Sequence, residues 1–379
     1  MNARLERKLR TLAAITVVGT SAGLVVAFAQ GHTSVSAMID GAIYGLLMGI
    51  TIGGLELFVL DGPLRDWLGG LSFTANLIVR SVIYAAIIML LQFSQVGELA
   101  AGLPMASRSD IRSGFILSAG VSVLVNLGFG IANLIGARAL LNFVTGRYHA
   151  PVTENRFVLF VDIAGSTGLA ERLGGIAIHR LLDRTFRLLT LAVVDYRGEV
   201  LNYVGDEVIV TWPERDGAVD CRPLRCFFAM RGELANAANH LQREFGTVPH
   251  IRGSLHFGPV IVGEIGDVKR AIVFNGDVMN IAARLEALSR TVDGGFLASR
   301  AAMERFNSAP PFAVRDLGRL PIRGRVDGID VVGIESPNSA ERQGQINDQG
   351  EDLINGRLID GQVIDTGLTM RKAIDQDAG

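Results

Sequence analysis

The amino-terminal part of the chain is dominated by long apolar runs, and these constrain its fold more than any other feature. The runs cover about 12–30, 38–60, 75–97 and 114–144 of the 379 residues. A helix needs roughly 20 apolar residues to span the hydrocarbon core of a bilayer, and each run meets that length. We therefore predict an α-helical transmembrane domain of four helices over residues 1–144.

The distribution of positive charge gives an orientation to these predicted spans. The 31–37 loop, which is predicted to be external, has no Lys or Arg. Arg108 and Arg112 fall in the other predicted external loop, but the basic residues of the predicted cytoplasmic segments outnumber them. Cytoplasmic loops are the ones enriched in Lys and Arg. Most of the basic residues then fall on the cytoplasmic side: Arg4, Arg7, Lys8, Arg10, Arg65, Arg80, Arg138 and Arg147. We predict a multi-pass protein of the inner membrane, in contact with lipid, with both termini in the cytoplasm.

The second apolar run carries a stripe of glycines and one acidic residue. Glycine recurs at every fourth position, which makes a smooth helix face that another backbone can approach closely. We interpret the stripe as packing within the membrane unit, with a subunit–subunit contact as the alternative. Glu56 lies near the end of the run, either as a functional intramembrane carboxylate or as an interfacial one. The stripe consists of Gly41, Gly45, Gly49 and Gly53.

The pattern of apolar and polar residues changes after a short polar linker at 145–155. Apolar runs typical of strands alternate with helical patterns over 156–335, with one close hairpin near 199–212. This succession predicts an α+β domain with a ferredoxin-like β-α-β-β-α-β core. Residues 336–379 are rich in polar residues and Gly, so we predict a mostly disordered tail.

Two short segments of this second half end or turn at an acidic residue. Asp162 follows the apolar run Phe157–Val161, and Asp206 stands in the turn of the predicted hairpin. Carboxylates brought together on adjacent strands suit hard divalent cations such as Mg²⁺, with the carbonyl of Ile163 as a further ligand. Each segment alone is typical of a helix cap or a turn, and only their order and spacing together indicate a metal site.

A third segment adds polar groups at helical spacing. Asn280 and Arg284 are four residues apart on a predicted helix, so they share a face. An amide and a guanidinium on one face suit a ribose oxygen and a phosphate. In isolation such a pair is usually a solvated surface pair.

Taken together, the three segments resemble the class III adenylate/guanylate cyclase catalytic domain over residues 156–335. The resemblance implies a homodimer with composite sites, in which Asp162 and Asp206 bind two Mg²⁺ or Mn²⁺ ions. It implies that Asn280 and Arg284 act on the nucleotide held by the other subunit's aspartates, and that Arg323 contacts the triphosphate. The backbone around Gly165, Ser166 and Thr167 would lie against the phosphates, as helix N-termini do with anions.

The resemblance identifies the reaction more clearly than it identifies the nucleotide base of the substrate. Adenylate-specific members read adenine with a Lys and with an Asp or Thr at the positions of Asn202 and Val273 in this chain. Asn202 can donate and accept hydrogen bonds, but the Val273 side chain can do neither. The residues of guanylate-specific members are absent as well. We favour ATP, which would make the protein an adenylate cyclase, a phosphorus–oxygen lyase that signals through cyclic AMP.

Two other functions remain open at this stage. The first is a guanylate cyclase using GTP, and the second is a non-catalytic, nucleotide-binding membrane signalling protein. A transporter with a regulatory domain is disfavoured, because the apolar half shows few charges and no inverted repeat. The formal net charge of −2 gives no indication of nucleic-acid binding. Cys221 and Cys226 are interpreted as reduced thiols rather than as a disulfide or a metal pair.

Overall fold

The computed structural model describes residues 3–29, 34–60, 62–93, isolated positions between 116 and 142, and 145–335 without 269, 293 and 322–327. Most of the fourth predicted span and the whole predicted tail therefore lie outside the described residues. The chain divides into two compact units, which are residues 1–151 with 263–272 and residues 152–262 with 273–379.

The first unit is built from helices. They are α1 (Ala3–Ala29), α2 (Val35–Leu55), a π-helical turn (Glu56–Leu60), α3 (Arg65–Gly69) and α4 (Phe73–Phe93). By length and composition, Lys8–Ala29 and Val35–Leu60 are long and apolar enough to cross a membrane. In α4 the apolar stretch Phe73–Ile88 is shorter. These helices are consistent with association of the amino-terminal unit with a membrane.

Helices α1 and α2 pack against each other backbone to backbone along their glycines. A Cβ atom placed on Gly45 would lie 2.2 Å from the carbonyl oxygen of Gly19, and one on Gly23 would lie 2.1 Å from that of Gly41. Real Cβ atoms do not approach backbone oxygens so closely, so no side chain fits at these positions. The glycine stripe is therefore used for packing within the chain.

Glu56 lies at the start of the π-helical turn and is paired across to α4. Its carboxylate forms an ion pair with Arg80 and accepts a hydrogen bond from the Tyr84 hydroxyl. Arg80 also donates from Nε to Asn76 Oδ1 at 2.7 Å. Both members of the ion pair have side chains only 16% exposed. Glu56 thus joins α2 to α4 rather than standing alone at an interface.

The second unit is an eight-stranded sheet with helices on both faces. Its strands are β1 (Val152–Ile163), β2 (Glu199–Val204), β3 (Glu207–Pro213), β4 (Ile251–Ile265), β5 (Ala271–Asn275), β6 (Phe296–Ser299), β7 (Ala313–Leu320) and β8 (Ile329–Glu335). Its helices are α5 (Ser166–Leu173), α6 (Gly175–Asp195), α7 (Glu214–Gly217), α8 (Arg222–Asn236), α9 (Ala238–Phe245), α10 (Asp277–Ser289) and α11 (Arg300–Met303), with a 3₁₀ turn at Val219–Cys221.

The order of the strands gives the core its topology. The sheet runs β2-β3-β1-β4-β6-β8-β7, and β5 pairs with β4 beside that path. β1 is antiparallel to both β3 and β4. A β-α-β-β-α-β succession whose strands lie in the order β2-β3-β1-β4 is the ferredoxin-like arrangement, as predicted from the sequence.

Successive side chains of a strand point to opposite faces of the sheet, and both faces of β1 are covered. Phe157, Leu159, Val161 and Ile163 belong to the apolar core that includes buried residues of α6 and α8. Helix α10 lies on the other face, where Ser254 on β4 donates a hydrogen bond of 2.6 Å to the carbonyl of Ala282. Asp162 is on this second face, next to α10.

Several predicted boundaries differ from the structure. β1 begins at Val152, so the linker predicted at 145–155 ends at Pro151 and the domain starts before 156. The predicted strands 251–257 and 260–262 are one strand, because β1 is long enough to pair with both, Asn155 facing Pro259. These differences lengthen the central β1–β4 pair, which runs to Ile163 and includes Asp162.

The long helix predicted over 217–244 is divided into shorter helices. Asp220 and Cys221 have positive φ angles of 54° and 48°, which interrupt the helical path. Pro223 then occupies the first turn of α8, where its missing N–H is tolerated. A second break falls at Ala237, between α8 and α9. The helical spacing of the apolar residues continues across both breaks, so this spacing alone predicts one continuous helix.

Candidate active site

Asp162 and Asp206 meet at one end of the sheet. Asp162 is paired with Glu207 in the β1–β3 register, so Asp206 in the β2–β3 turn lies beside the end of β1. The backbone N–H of Ile163 donates to the Asp206 carbonyl at 3.3 Å. Gly205 enters this turn with φ of 62°, a conformation that favours glycine. The hairpin and the strand together place the two carboxyls side by side.

The pKa values of the two neighbouring acids are shifted in opposite directions. Burial raises the pKa of Asp162, and the neighbouring Asp206 raises it further, against the opposing hydrogen bond from Arg252. Burial also acts to raise the pKa of Asp206, but hydrogen bonds from Ser166 and Asp162 outweigh it and lower that pKa. Two adjacent carboxyls that resist ionising together are a site where a positive charge is stabilising.

The segment after β1 closes the site from a third direction. Gly165 has φ of 70° and directly precedes α5. Ser166, the first residue of α5, donates from Oγ to Asp206 Oδ2, and Thr167 is exposed beside it. A groove runs next to this loop and is lined by Gly165, Arg172 and His250 among others. The predicted loop and the two aspartates are therefore brought together.

Two arginines at the site were not predicted from the sequence. Arg252 on β4 places Nη2 2.9 Å from Asp162 Oδ2, and Arg290 after α10 places its Nη2 3.7 Å from the same oxygen. Arg252 is the register partner of Asp162 on the neighbouring strand. Its position near the start of a predicted strand is the signal that could have identified it, because that end of β4 must meet the end of β1.

Two further acids complete the cluster, and the sequence analysis missed them as well. Burial raises the pKa of Glu207 to about 7, with repulsion from Glu286 as the next cause. Burial raises the pKa of Glu286 to about 7, with repulsion from Asp162 next. The site therefore holds more carboxyls than guanidinium groups, and close to neutral pH part of its negative charge is suppressed by protons.

The remaining predicted residues lie apart from the aspartates or outside the described residues. Asn280 is exposed and Arg284 is half-buried on α10, and within the described residues neither side chain makes a hydrogen bond or ion pair. Asn202 is exposed on β2, and its Oδ1 accepts from the Tyr203 N–H at 3.0 Å. Val273 is half-buried on β5. Arg323 falls within 322–327 and is not described.

The donor set at Asp162 and Asp206 fits divalent cations that take part of their coordination from elsewhere. Carboxylate oxygens are the preferred ligands of Mg²⁺, which is usually held by one or two carboxylates together with phosphates. In the described part of the chain, no group of three or more His, Cys, Asp or Glu side chains forms a metal site. The pair would therefore need backbone carbonyl, water or phosphate oxygens to complete the coordination.

Comparisons with known proteins identify the family of this chain. The family described as the adenylate and guanylate cyclase catalytic domain matches residues 149–334. Adenylate cyclase 2 of Rhizobium meliloti (strain 1021) is 32% identical over 340 residues, which cover 86% of this chain and 91% of that protein. Adenylate cyclase 1 of the same organism is 29% identical over 178 residues, and the chain covers 26% of its length.

A solved structure shows the same fold. The structure of a bacterial light-regulated adenylyl cyclase superposes with a TM-score of 0.50 at 20% sequence identity. The match covers 60% of this chain and 65% of that one. At this identity the likeness concerns the fold of the catalytic domain.

Proposed function

This chain belongs to the adenylate and guanylate cyclase family and is an adenylate cyclase. On that premise, we propose that it converts ATP to 3′,5′-cyclic AMP and pyrophosphate. We propose further that a second copy of the chain completes each active site. The observation that carries the proposal is the separation of the polar groups. Asp162 and Asp206 converge at the end of the sheet, whereas Asn280 and Arg284 stand on the outward side of α10 without partners among the described residues.

The proposed reaction is an in-line displacement at phosphorus. The ribose 3′-oxygen forms a bond to the α-phosphorus, and the bond from that phosphorus to the oxygen bridging to the β-phosphate breaks. Two Mg²⁺ or Mn²⁺ ions held by Asp162 and Asp206 would activate the attacking oxygen and neutralise the leaving group. The residues of the chain contribute position and charge, and no covalent intermediate with the protein is needed.

The positive side chains have separate roles in this proposal. Arg252, beside Asp162, supplies positive charge toward the polyphosphate leaving group. The backbone and hydroxyl groups of Gly165, Ser166 and Thr167 contact phosphate oxygens at the start of α5. Asn280 orients the ribose of the nucleotide bound by the partner, and Arg284 stabilises the charge that develops at phosphorus. Arg323 is proposed to bind the triphosphate on the strength of the resemblance alone.

The base is read without the usual side-chain pair. Asn202 offers both a donor and an acceptor, and its exposure on β2 leaves it accessible. Val273 supplies only an apolar wall, so backbone groups must contribute the remaining hydrogen bonds. ATP is the proposed substrate, and GTP is the competing outcome that the activity assay distinguishes.

The amino-terminal unit is proposed to anchor the catalytic domain in the inner membrane, with that domain in the cytoplasm. The support is the pair of long apolar helices Lys8–Ala29 and Val35–Leu60, together with the charge asymmetry of the loops. The four-span topology, a linker at 145–151 and the disordered tail at 336–379 belong to the same proposal. Membrane flotation and protease protection of tagged termini test this topology.

Incubation of the purified full-length protein with ATP or GTP, in the presence of Mn²⁺ or Mg²⁺, tests the function. The expected product is cyclic AMP, with a much lower rate of cyclic GMP formation. Equal or greater activity with GTP would contradict the proposed base preference. Binding of nucleotide without any cyclic product would favour a non-catalytic signalling protein.

A further inference from the structure

Helix α10 presents polar side chains to different surroundings. An α-helix turns about 100° per residue, so Asn280 and Arg284 share one side, whereas Glu286 lies about 160° around the helix from Arg284. The burial pattern agrees, because Asn280 is exposed whereas Glu286 is buried at 5% exposure. Glu286 therefore faces the sheet of its own chain, and Arg290, which directly follows the helix, extends to the same place.

The inward side of the helix contacts Asp162 of the same chain. Arg290 bridges the two acids, with Nη2 3.7 Å from Asp162 Oδ2 and Nε 3.8 Å from Glu286 Oε1. Asp162 also contributes to raising the pKa of the Glu286 carboxyl, next after burial, so the two acids lie close enough to interact. Within the described residues, Glu286 Oε1 is buried without a hydrogen-bond partner. Asp162 is thus contacted by Arg290, which directly follows α10 and in turn contacts Glu286 on that helix.

Packing fixes the helix that carries these groups. Ile281 and Leu285 belong to a buried cluster with Leu297 and Val331 on the sheet. Ser289 donates from Oγ to the carbonyl of Glu286 at 2.6 Å, which closes the last turn of the helix. Because the inward face is held in this way, Glu286 is presented to Asp162 by a rigid element rather than by a loop.

We propose that Glu286, together with Arg290, is a positioning residue for the Asp162 carboxylate of its own chain. This inference rests on the proposed composite site. In a dimer, α10 of each chain would then serve two sites, with Asn280 and Arg284 acting at the partner's aspartates and Glu286 and Arg290 orienting the chain's own Asp162. A partner that orients a metal ligand affects metal affinity about 10- to 100-fold when it is removed.

Mixed dimers separate this role from a general effect on the helix. One chain carries Asp162→Ala and the other carries Asn280→Ala, so one site loses both groups and the other site remains intact. The intact site takes Asp162 from the Asn280→Ala chain. Glu286→Leu is then added to either chain in turn, and cyclase activity is measured with Mn²⁺.

The expected result is asymmetric. Glu286→Leu in the chain that supplies Asp162 lowers activity about tenfold or more, and the same change in the other chain leaves it unaltered. Equal losses in both placements would mean that the substitution only disturbs α10, and no loss in either would mean that Glu286 does not position Asp162. Either of these results overturns the inference.

Mn²⁺ binding without turnover gives a second readout. Electron paramagnetic resonance titration of the full-length Glu286→Leu homodimer is expected to show weaker Mn²⁺ binding, with recovery in Glu286→Gln, which keeps a polar side chain of the same length beside Asp162. Glu304→Leu, at an exposed glutamate after α11, is the matched control. If the parental mixed dimer has no activity, the composite site itself is refuted. Unchanged Mn²⁺ affinity in Glu286→Leu would then refute the inference separately.

Discussion

Arg252 and Asp162 face each other across neighbouring antiparallel strands, with Nη2 of the arginine 2.9 Å from Oδ2 of the aspartate. The guanidinium group opposes the effect of burial on the Asp162 pKa. It also brings a permanent positive charge to the place where the polyphosphate is proposed to lie. One side chain therefore stabilises the charged form of Asp162 and prepares the site for an anion.

Replacement of Arg252 tests this dual role. Arg252→Met is expected to lower kcat/KM for ATP about a hundredfold, as loss of a donor to developing charge does elsewhere. Arg252→Lys should recover only part of the loss, because an ammonium group lacks the planar fork of a guanidinium. Steady-state kinetics of the full-length protein provide the measurement, and Arg300→Met at an exposed ion pair with Asp316 is the control. Activity of Arg252→Met within a factor of two of the parent would contradict the role.

Loss of Asp162 should remove activity without unfolding the protein. Asp162→Asn is expected to reduce cyclic AMP formation by orders of magnitude, because the charge it would help to neutralise is central to the reaction. The unfolding temperature should stay within a few degrees of the parent, since the change relieves repulsion among Asp162, Asp206, Glu207 and Glu286. Parallel activity and thermal-unfolding assays check both statements, and activity near the parental level would sink the metal assignment.

Much of the fold and part of the site could be predicted from the sequence. The short apolar runs and the hairpin turn were sufficient for β1, β2 and β3, and hence for the meeting of Asp162 and Asp206. The positions of Arg252, Glu286 and Arg290 depend on which strand lies beside β1 and which face α10 covers. Those are properties of the sheet order, and nothing local in the sequence determines them.

A buried ion pair in the catalytic unit provides a stability test. Arg156 has a side chain only 2% exposed and pairs with Glu199 at 2.7 Å and Glu154 at 3.3 Å, while its guanidinium stacks 4.9 Å from the Phe274 ring centroid. Arg156→Met is expected to lower the free energy of unfolding by about 3 kcal/mol, because it leaves two carboxylates without the arginine. Urea denaturation of the full-length protein is the measurement.

The matched comparison for Arg156 is an exposed pair in the same unit. Arg319 lies 3.3 Å from Asp330, with side chains 63% and 42% exposed. Arg319→Met should change the free energy of unfolding by about 1 kcal/mol or less. Equal effects at the two positions would show that burial does not govern the contribution of Arg156.

The glycine contacts of the amino-terminal unit allow two glycines of α2 to be compared. Gly45→Ala is expected to weaken the packing of α1 on α2, because its Cβ would fall 2.2 Å from the Gly19 oxygen. Gly54→Ala should be tolerated, since among the described residues no atom beyond its own helix backbone and chain neighbours lies within 4 Å of its added Cβ. Thermal unfolding of the detergent-purified variants compares them, and equal melting temperatures would argue against the observed packing.

The two cysteines should react slowly in the folded protein. Both are free and buried, and burial raises the pKa of Cys221 and raises that of Cys226 well above its ordinary value. A raised pKa keeps a thiol protonated as the pH increases, and the thiolate is the reactive form. Alkylation by iodoacetamide is therefore expected to remain slow up to about pH 8.5 and to become fast on unfolding. Rapid labelling of the folded protein at neutral pH would contradict the buried positions.

The backbone contact between α1 and α2 limits which substitutions these helices can accept during evolution. Every codon change that replaces Gly19, Gly23, Gly41 or Gly45 introduces at least a Cβ atom, and a Cβ at any of these positions would meet a backbone oxygen closer than 3.0 Å. No conservative substitution is available there, whereas Gly54, which directly follows the last glycine of the stripe, is expected to vary. Among proteins descended from this one, we expect these four glycines to be the most strictly conserved residues of α1 and α2.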